Sequence, residues 1–283
     1  MFRKAEKEDR KPVVDLWQRV FGDAPEFIEA CLDELIGPQN TFLAVDEEGA
    51  VQAMLHTVPC CEAGRKGVYL YALGTNPPKR ATGIMTGLQV FAEQEAAVRG
   101  SSFACLIPAN EHLYAYYRKR GYAETLSLRH LPWKAPERVC AERTLSASFS
   151  APGGAVLNEL RGRWLPKGWI GFDECRMQML AGDLAKAGAL LCQSEGGYAV
   201  CLPDSNKTPL VAELAAHSQV QAELLLEALT YRLNTQALAL TLPPGTSLFA
   251  GQGELCAAAL LKWLGPKGEG DGPQYFRFGF DEL

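Results

Sequence analysis

Residues 76–88 read NPPKRATGIMTGL. They follow GVYLYALGT at 67–75, an apolar run rich in aromatic residues that predicts a strand. They open GIMTGLQVFAEQEAAVRG at 83–100, whose spacing predicts a helix ended by Gly100 with Arg99 in its last turn. A turn entering a helix presents unpaired N–H groups at the positive end of the helix dipole, and is a natural anion site. Gly83 lets the backbone come close to a ligand. Lys79 and Arg80 add positive charge, and Pro77 and Pro78 stiffen the approach. The same residues also suit an ordinary polar turn. GxxxxGK[ST] and GxGxxG are both absent from the stretch, which excludes a Walker loop and a dinucleotide-binding fingerprint.

Working outward, PVVDLWQRVF at 12–21 and PEFIEACLDELI at 25–36 carry helical spacing. TFLAVDEEGAVQAMLHTVP holds two strand-like runs around a DEEG turn, a hairpin. Beyond the 83–100 helix, SFACLIPA at 102–109 predicts a buried strand. EHLYAYYRKRGY predicts a short helix stopped by Gly121, and AETLSLRHLPW a closing strand. The order is ααβββαβαβ over the first 133 residues.

Residues 134–154 lack a clear period and contain Pro, Gly and Ser, as expected of a linker or crossover, part of which can pair as a strand. The second half, 155–283, repeats the architecture weakly. Helices are expected at 155–165, 182–191, 218–234 and 255–265. Strands are expected at GYAVCLPD, TPLVAELAAHS, QALALTLPP and 274–280. Only His217 and Ser218 separate the strand ending at Ala216 from its helix, so the NPPKRATG insert has no counterpart there.

With 283 residues and 47% hydrophobic composition, the chain can fold as two domains with sizeable cores. A net charge of −5 argues against broad nucleic-acid binding. No apolar run is long enough to span a membrane, and the charged N-terminus lacks a signal core, so a cytoplasmic protein is expected. Nine scattered cysteines without a CxxC predict buried thiols rather than a disulfide framework or a metal site.

The motif Arg80-Ala81-Thr82-Gly83-Ile84-Met85 resembles the phosphate-binding signature R/Q-x-x-G-x-G/A of the GCN5-related N-acetyltransferases, with Met85 in place of the small residue. Downstream, Asn110 and then Tyr117-Arg118-Lys119-Arg120-Gly121-Tyr122 resemble that family's asparagine and helix-end motif. The resemblance covers roughly residues 1–133, and the two-part layout resembles the enhanced-intracellular-survival (Eis)-like branch. It implies an α/β (α+β) fold of two such domains, each a mixed, mostly antiparallel sheet flanked by helices. The acetyl-CoA site lies in 1–133, and 155–283 is a degenerate copy without one.

On this resemblance, Leu73, Gly74 and Thr75 pair with the pantetheine arm, with Gly74 as a bulge residue. The N–H groups of Ala81, Thr82, Gly83, Ile84, Met85 and Thr86, with Arg80, hold the pyrophosphate, and Asn110 bonds the pantetheine. Tyr117 aligns with the family's acid, although a tyrosine on such a helix also suits plain packing. The strand of 67–75 contains no carboxylate, so the usual base is missing. His56 is one candidate base, and equally a structural hydrogen-bonder. The terminal carboxylate on Leu283 is the other, implied by the Eis-like resemblance. Glu26, Glu29, Asp33 and Glu34 are placed to attract a cationic amine or to serve as solvated charges. The expected activity is transfer of acetyl from acetyl-CoA, without a metal, to a primary amine of a small molecule or peptide. The competing reading is an inactive acyl-CoA-binding or interaction protein.

Overall fold

The computed structural model describes residues 1–136, 146–203, 208–267 and 272–278. The chain divides into two units: Met1–Ala123 with Leu260–Gly270, and Glu124–Ala259 with Asp271–Leu283. Together the described residues make a mixed α/β structure with seven α-helices and mostly antiparallel strand pairs.

The first unit runs β1 (Phe2–Lys4), α1 (Arg10–Phe21), α2 (Pro25–Ala30), β2 (Thr41–Val45), β3 (Val51–Glu62), β4 (Arg65–Thr75), α3 (Ile84–Val98), β5 (Phe103–Leu106) and α4 (Glu111–Arg118). α1 buries Val13, Leu16 and Trp17, the face its spacing predicts, and stops at Gly22 in the left-handed conformation. α2 continues as a π-helical turn over Cys31–Ile36. β1 to β4 pair antiparallel in sequence order, and β4 pairs parallel with β5. Leu88 and Ala92 of α3 pack with Phe42, Leu55, Leu70, Leu106, Tyr117 and Tyr122 into the core of this unit.

The second unit contains β6 (Ala123–Lys134), β7 (Ser148–Ser150), α5 (Gly154–Trp164), α6 (Glu174–Lys186), β8 (Leu190–Ser194), β9 (Gly197–Leu202), β10 (Leu210–Ala216), α7 (Gln219–Leu233) and β11 (Ala237–Leu242). Alternate residues of its strands feed two cores. Cys192, Ala199, Cys201 and Leu214 pack with α7 leucines, while Leu191, Tyr198, Val200 and Ala212 pack with Leu157, Met177 and Leu180. Burial on both faces explains why these strands read as continuous apolar runs. Glu213 is fully buried and accepts hydrogen bonds from the hydroxyls of Tyr198 (2.6 Å) and Tyr275 (2.7 Å), with Arg161 Nε at 3.3 Å.

Three sequence expectations are corrected. Residues 255–265 are not a helix but β12 (Glu254–Trp263), and Leu260–Trp263 pair antiparallel with β5. LCAAALLKWLG has good helix formers, but β5 would otherwise be an open edge, and covering that edge outweighs local propensity. The expected helix over 182–191 begins earlier and ends at Lys186. Gly188 takes φ 80, and Leu190 starts β8. Residues 274–280 form no strand in their described part, where Tyr275 makes an isolated bridge to Trp169. Within 134–154, Ser148–Ser150 pair with β8, while 137–145 fall outside the described residues.

Candidate active site

β4 and β5 pair at Gly67↔Phe103, Val68↔Ala104 and Tyr69↔Cys105; the ladder ends there, and β4 continues to Thr75. On its other edge β4 pairs with β3, where Met54 faces Gly74 but His56 faces Tyr71. Ala72 and Leu73 therefore share the place opposite Leu55, a β-bulge that re-aims backbone groups. Ala72, not Gly74, takes the left-handed conformation, at φ 48. Gly74 has a different role: a Cβ there would lie 2.9 Å from Met54 Cε and 3.4 Å from the Phe21 ring. The expectation of a bulge was right in place to within two residues and wrong in its residue.

The chain leaves β4 through Asn76, whose N–H donates to Gln52 O at 2.8 Å. Its side-chain oxygen accepts from Arg19 at 3.3 Å, and its amide nitrogen donates to Gln52 Oε1 at 3.3 Å. Pro77–Lys79 form a 3-10 turn, and Thr82 Oγ1 donates to Lys79 O at 2.7 Å. Ala81 (φ 62) and Gly83 (φ 83) are left-handed, and Gly83 sits directly before α3. No side chain caps that helix start. Gly83, Ile84 and Met85 at that start line a pocket of about 310 Å³ together with Lys79, Arg80, Thr86, Tyr116 and Arg120. In the second unit, Ser218 caps the start of α7 by accepting from Gln221 N–H at 3.4 Å. The two strand–helix turns thus differ in chemistry as well as length.

Asn110 is the N-cap of α4: its Oδ1 accepts from Leu113 N–H at 3.3 Å, which leaves the amide N–H groups for another partner. Tyr117 is only 7% exposed, with edge-on contacts to Tyr116 (ring centroids 5.1 Å apart) and Tyr122 (5.8 Å). His56 is fully buried. Its Nδ1 lies 2.9 Å from Thr41 Oγ1, and its ring centroid lies 4.9 Å from that of Trp17. Desolvation lowers its pKa to about 3, so at neutral pH it is an uncharged core imidazole. Leu283 lies outside the described residues. Glu29 and Asp33 both pair with Arg10, at 2.5 Å from its Nε and 2.8 Å from Nη1, so one cation offsets one of the four charges in the acidic set expected to draw an amine. Among the described residues no cluster of His, Cys, Asp and Glu suits a metal ion, and no helix is long and apolar enough to cross a membrane.

Arg120 was not singled out in the sequence. It appears there only as one letter of the Tyr117–Tyr122 motif, in the basic run RKR before Gly121, with no role assigned to it. Its Nη2 donates to Thr86 Oγ1 at 2.5 Å and its Nη1 to Tyr116 O at 2.7 Å.

The parallel pair that parts, the bulge beside it and the uncapped helix start all lie within the segment that matches a family model. The acetyltransferase (GNAT) domain matches residues 1–125. This part of the chain is GNAT-like. Solved structures extend the likeness over both units. A GCN5-related N-acetyltransferase from Kribbella flavida aligns with 93% of this chain and 72% of its own, at 16% identity and a TM-score of 0.69. Eis1 from Mycobacterium abscessus aligns over 93% and 73%, at 16% identity and 0.67. A GCN5-related N-acetyltransferase from Anabaena variabilis aligns over 94% and 73%, at 17% identity and 0.69. At these identities the likeness is one of fold. No curated protein matched the chain.

Proposed function

We propose that the GNAT domain transfers an acetyl group from acetyl-CoA to a primary amine. The observation that carries this reading is the β4 segment Leu73–Thr75, unpaired on its β5 side and leading into a cationic, uncapped helix start. In this reading the extended pantetheine adds beside Leu73, Gly74 and Thr75 as a strand would, and Asn110 donates its amide to the same arm. The pyrophosphate accepts from the N–H groups of Ala81 to Thr86 beside Lys79 and Arg80.

The neutral amine attacks the thioester carbonyl, forming a C–N bond. A backbone N–H at the bulge stabilises the oxyanion. The C–S bond then breaks, and the thiolate takes a proton from Tyr117 while the amine proton leaves to solvent. His56 does not serve as the base, because it is buried and neutral with a pKa of about 3. The second unit is read as a copy without a coenzyme site, because Ser218 caps its helix start.

The test is thiol release from acetyl-CoA across a panel of amines, beside CoA titration. The wild type is expected to turn over at least one amine. Tyr117→Phe should lower kcat about 100-fold with CoA affinity unchanged. The sealed His56 favours a second reading, a CoA-binding protein without turnover. Tight CoA binding with no thiol release on any amine would establish that reading instead.

A further inference from the structure

We infer that Arg120 is a diphosphate ligand of this site, supplied by the end of α4 rather than by the strand–helix turn. The identity of the diphosphate as CoA rests on the reading above; the ligand role of Arg120 rests on the geometry.

Thr86 is the third residue of α3, so its hydroxyl marks the first turn of that helix. Arg120 Nη2 bonds that hydroxyl at 2.5 Å, and the guanidinium carbon lies 3.3 Å from the centroid of the Tyr116 ring. The cation is therefore stacked flat and aimed across the helix start. That is an unfavourable place for it, because the N-terminal end of a helix repels positive charge. Lys79 and Arg80 line the same pocket, and no Asp or Glu does. None of the three cations pairs with a carboxylate among the described residues. Arg120 Nε is buried without a hydrogen-bond partner.

A group of cations at a positive helix end, in a protein of net charge −5, is relieved by an anion seated between them. The backbone N–H groups reach that anion from one side and the Arg120 fork from the other. The pocket of about 310 Å³ has room for two linked phosphoryl groups. Thr86 and Tyr116 act as positioning residues: their neutral oxygens hold the fork while the other guanidinium N–H groups stay available.

The experiment is calorimetric titration with CoA, pantetheine and inorganic pyrophosphate. Arg120→Gln is expected to weaken CoA and pyrophosphate by about 10- to 100-fold and to leave pantetheine unchanged. Its melting temperature without ligand should be unchanged or higher, since a repelled cation is gone. Arg120→Lys should recover less than half of the loss on a logarithmic scale, because an ammonium cannot stack and fork. If Arg120→Gln does not fold, the ratio of CoA to pantetheine affinity in Arg120→Lys decides the matter. An Arg120 variant with CoA and pyrophosphate affinity within twofold of wild type overturns the inference, as does an equal loss for pantetheine. A wild type that binds pyrophosphate through Arg120 but not CoA supports the inference and overturns the coenzyme reading alone.

Discussion

Lys262 donates to Glu93 at 2.5 Å across 169 positions of sequence, tying β12 to α3 within the first unit. Glu93 is buried, and its other oxygen accepts from the Tyr122 hydroxyl at 2.7 Å and from Gln89 at 2.9 Å. Burial, with Glu93 second, holds the Tyr122 phenol well above its ordinary pKa.

Lys262→Met should therefore destabilise the protein by about 2 kcal/mol in urea unfolding. Removing one partner of a buried pair costs about 3–5 kcal/mol, and the Lys262 side chain is 26% exposed, which reduces that figure. Adding Glu93→Gln to Lys262→Met should recover part of the loss, since the uncompensated charge goes with it. An additive double variant would show that the two residues do not interact.

His56 gives stability an acid-side slope. Its folded pKa, about 3, lies below the ordinary value of 6.5, so the unfolded chain binds a proton that the folded protein excludes. The contribution is fully present above pH 6.5 and is lost as pH falls through the window down to about 3, at about 1.4 kcal/mol per pH unit. Unfolding free energies of wild type and His56→Gln, measured between pH 7 and 4, should converge as pH falls. Parallel curves would show that His56 carries no such proton linkage.

Gly67 faces Phe103 at the root of the parting strands, and a Cβ there would lie 2.2 Å from the Phe103 ring. That ring is fully buried and meets Trp263 edge-on at 6.3 Å, so it has nowhere to turn. Gly67→Ala should cost about 3 kcal/mol through overpacking, and Phe103→Leu in the same chain should restore about half. A Gly67→Ala protein with wild-type stability in urea would mean that β4 and β5 separate easily, and that the close approach has no structural weight.

The local order of the first unit was readable because each element declares its own period and stop. α1 shows its buried stripe, α3 opens at a left-handed glycine, and α4 closes before Gly121. The motif around Arg80 and Gly83 was readable for the same reason, since a turn's chemistry resides in neighbouring residues. The second unit was harder. Gly188 was read through instead of as a stop, and at 255–265, a segment shared between the units, the alanine- and leucine-rich run has no alternation that separates helix from strand.

The sequence by itself determined the strand–helix turn at 76–88 and its cations, because φ preferences and charge are properties of adjacent residues. Only the tertiary structure decided that an alanine-rich segment lies flat as β12, because β5 needed a partner. Tertiary packing also made His56 a buried neutral imidazole rather than a base, through desolvation that no spacing encodes. It brought Arg120 from the end of α4 onto the first turn of α3, beside Lys79 and Arg80 in one pocket.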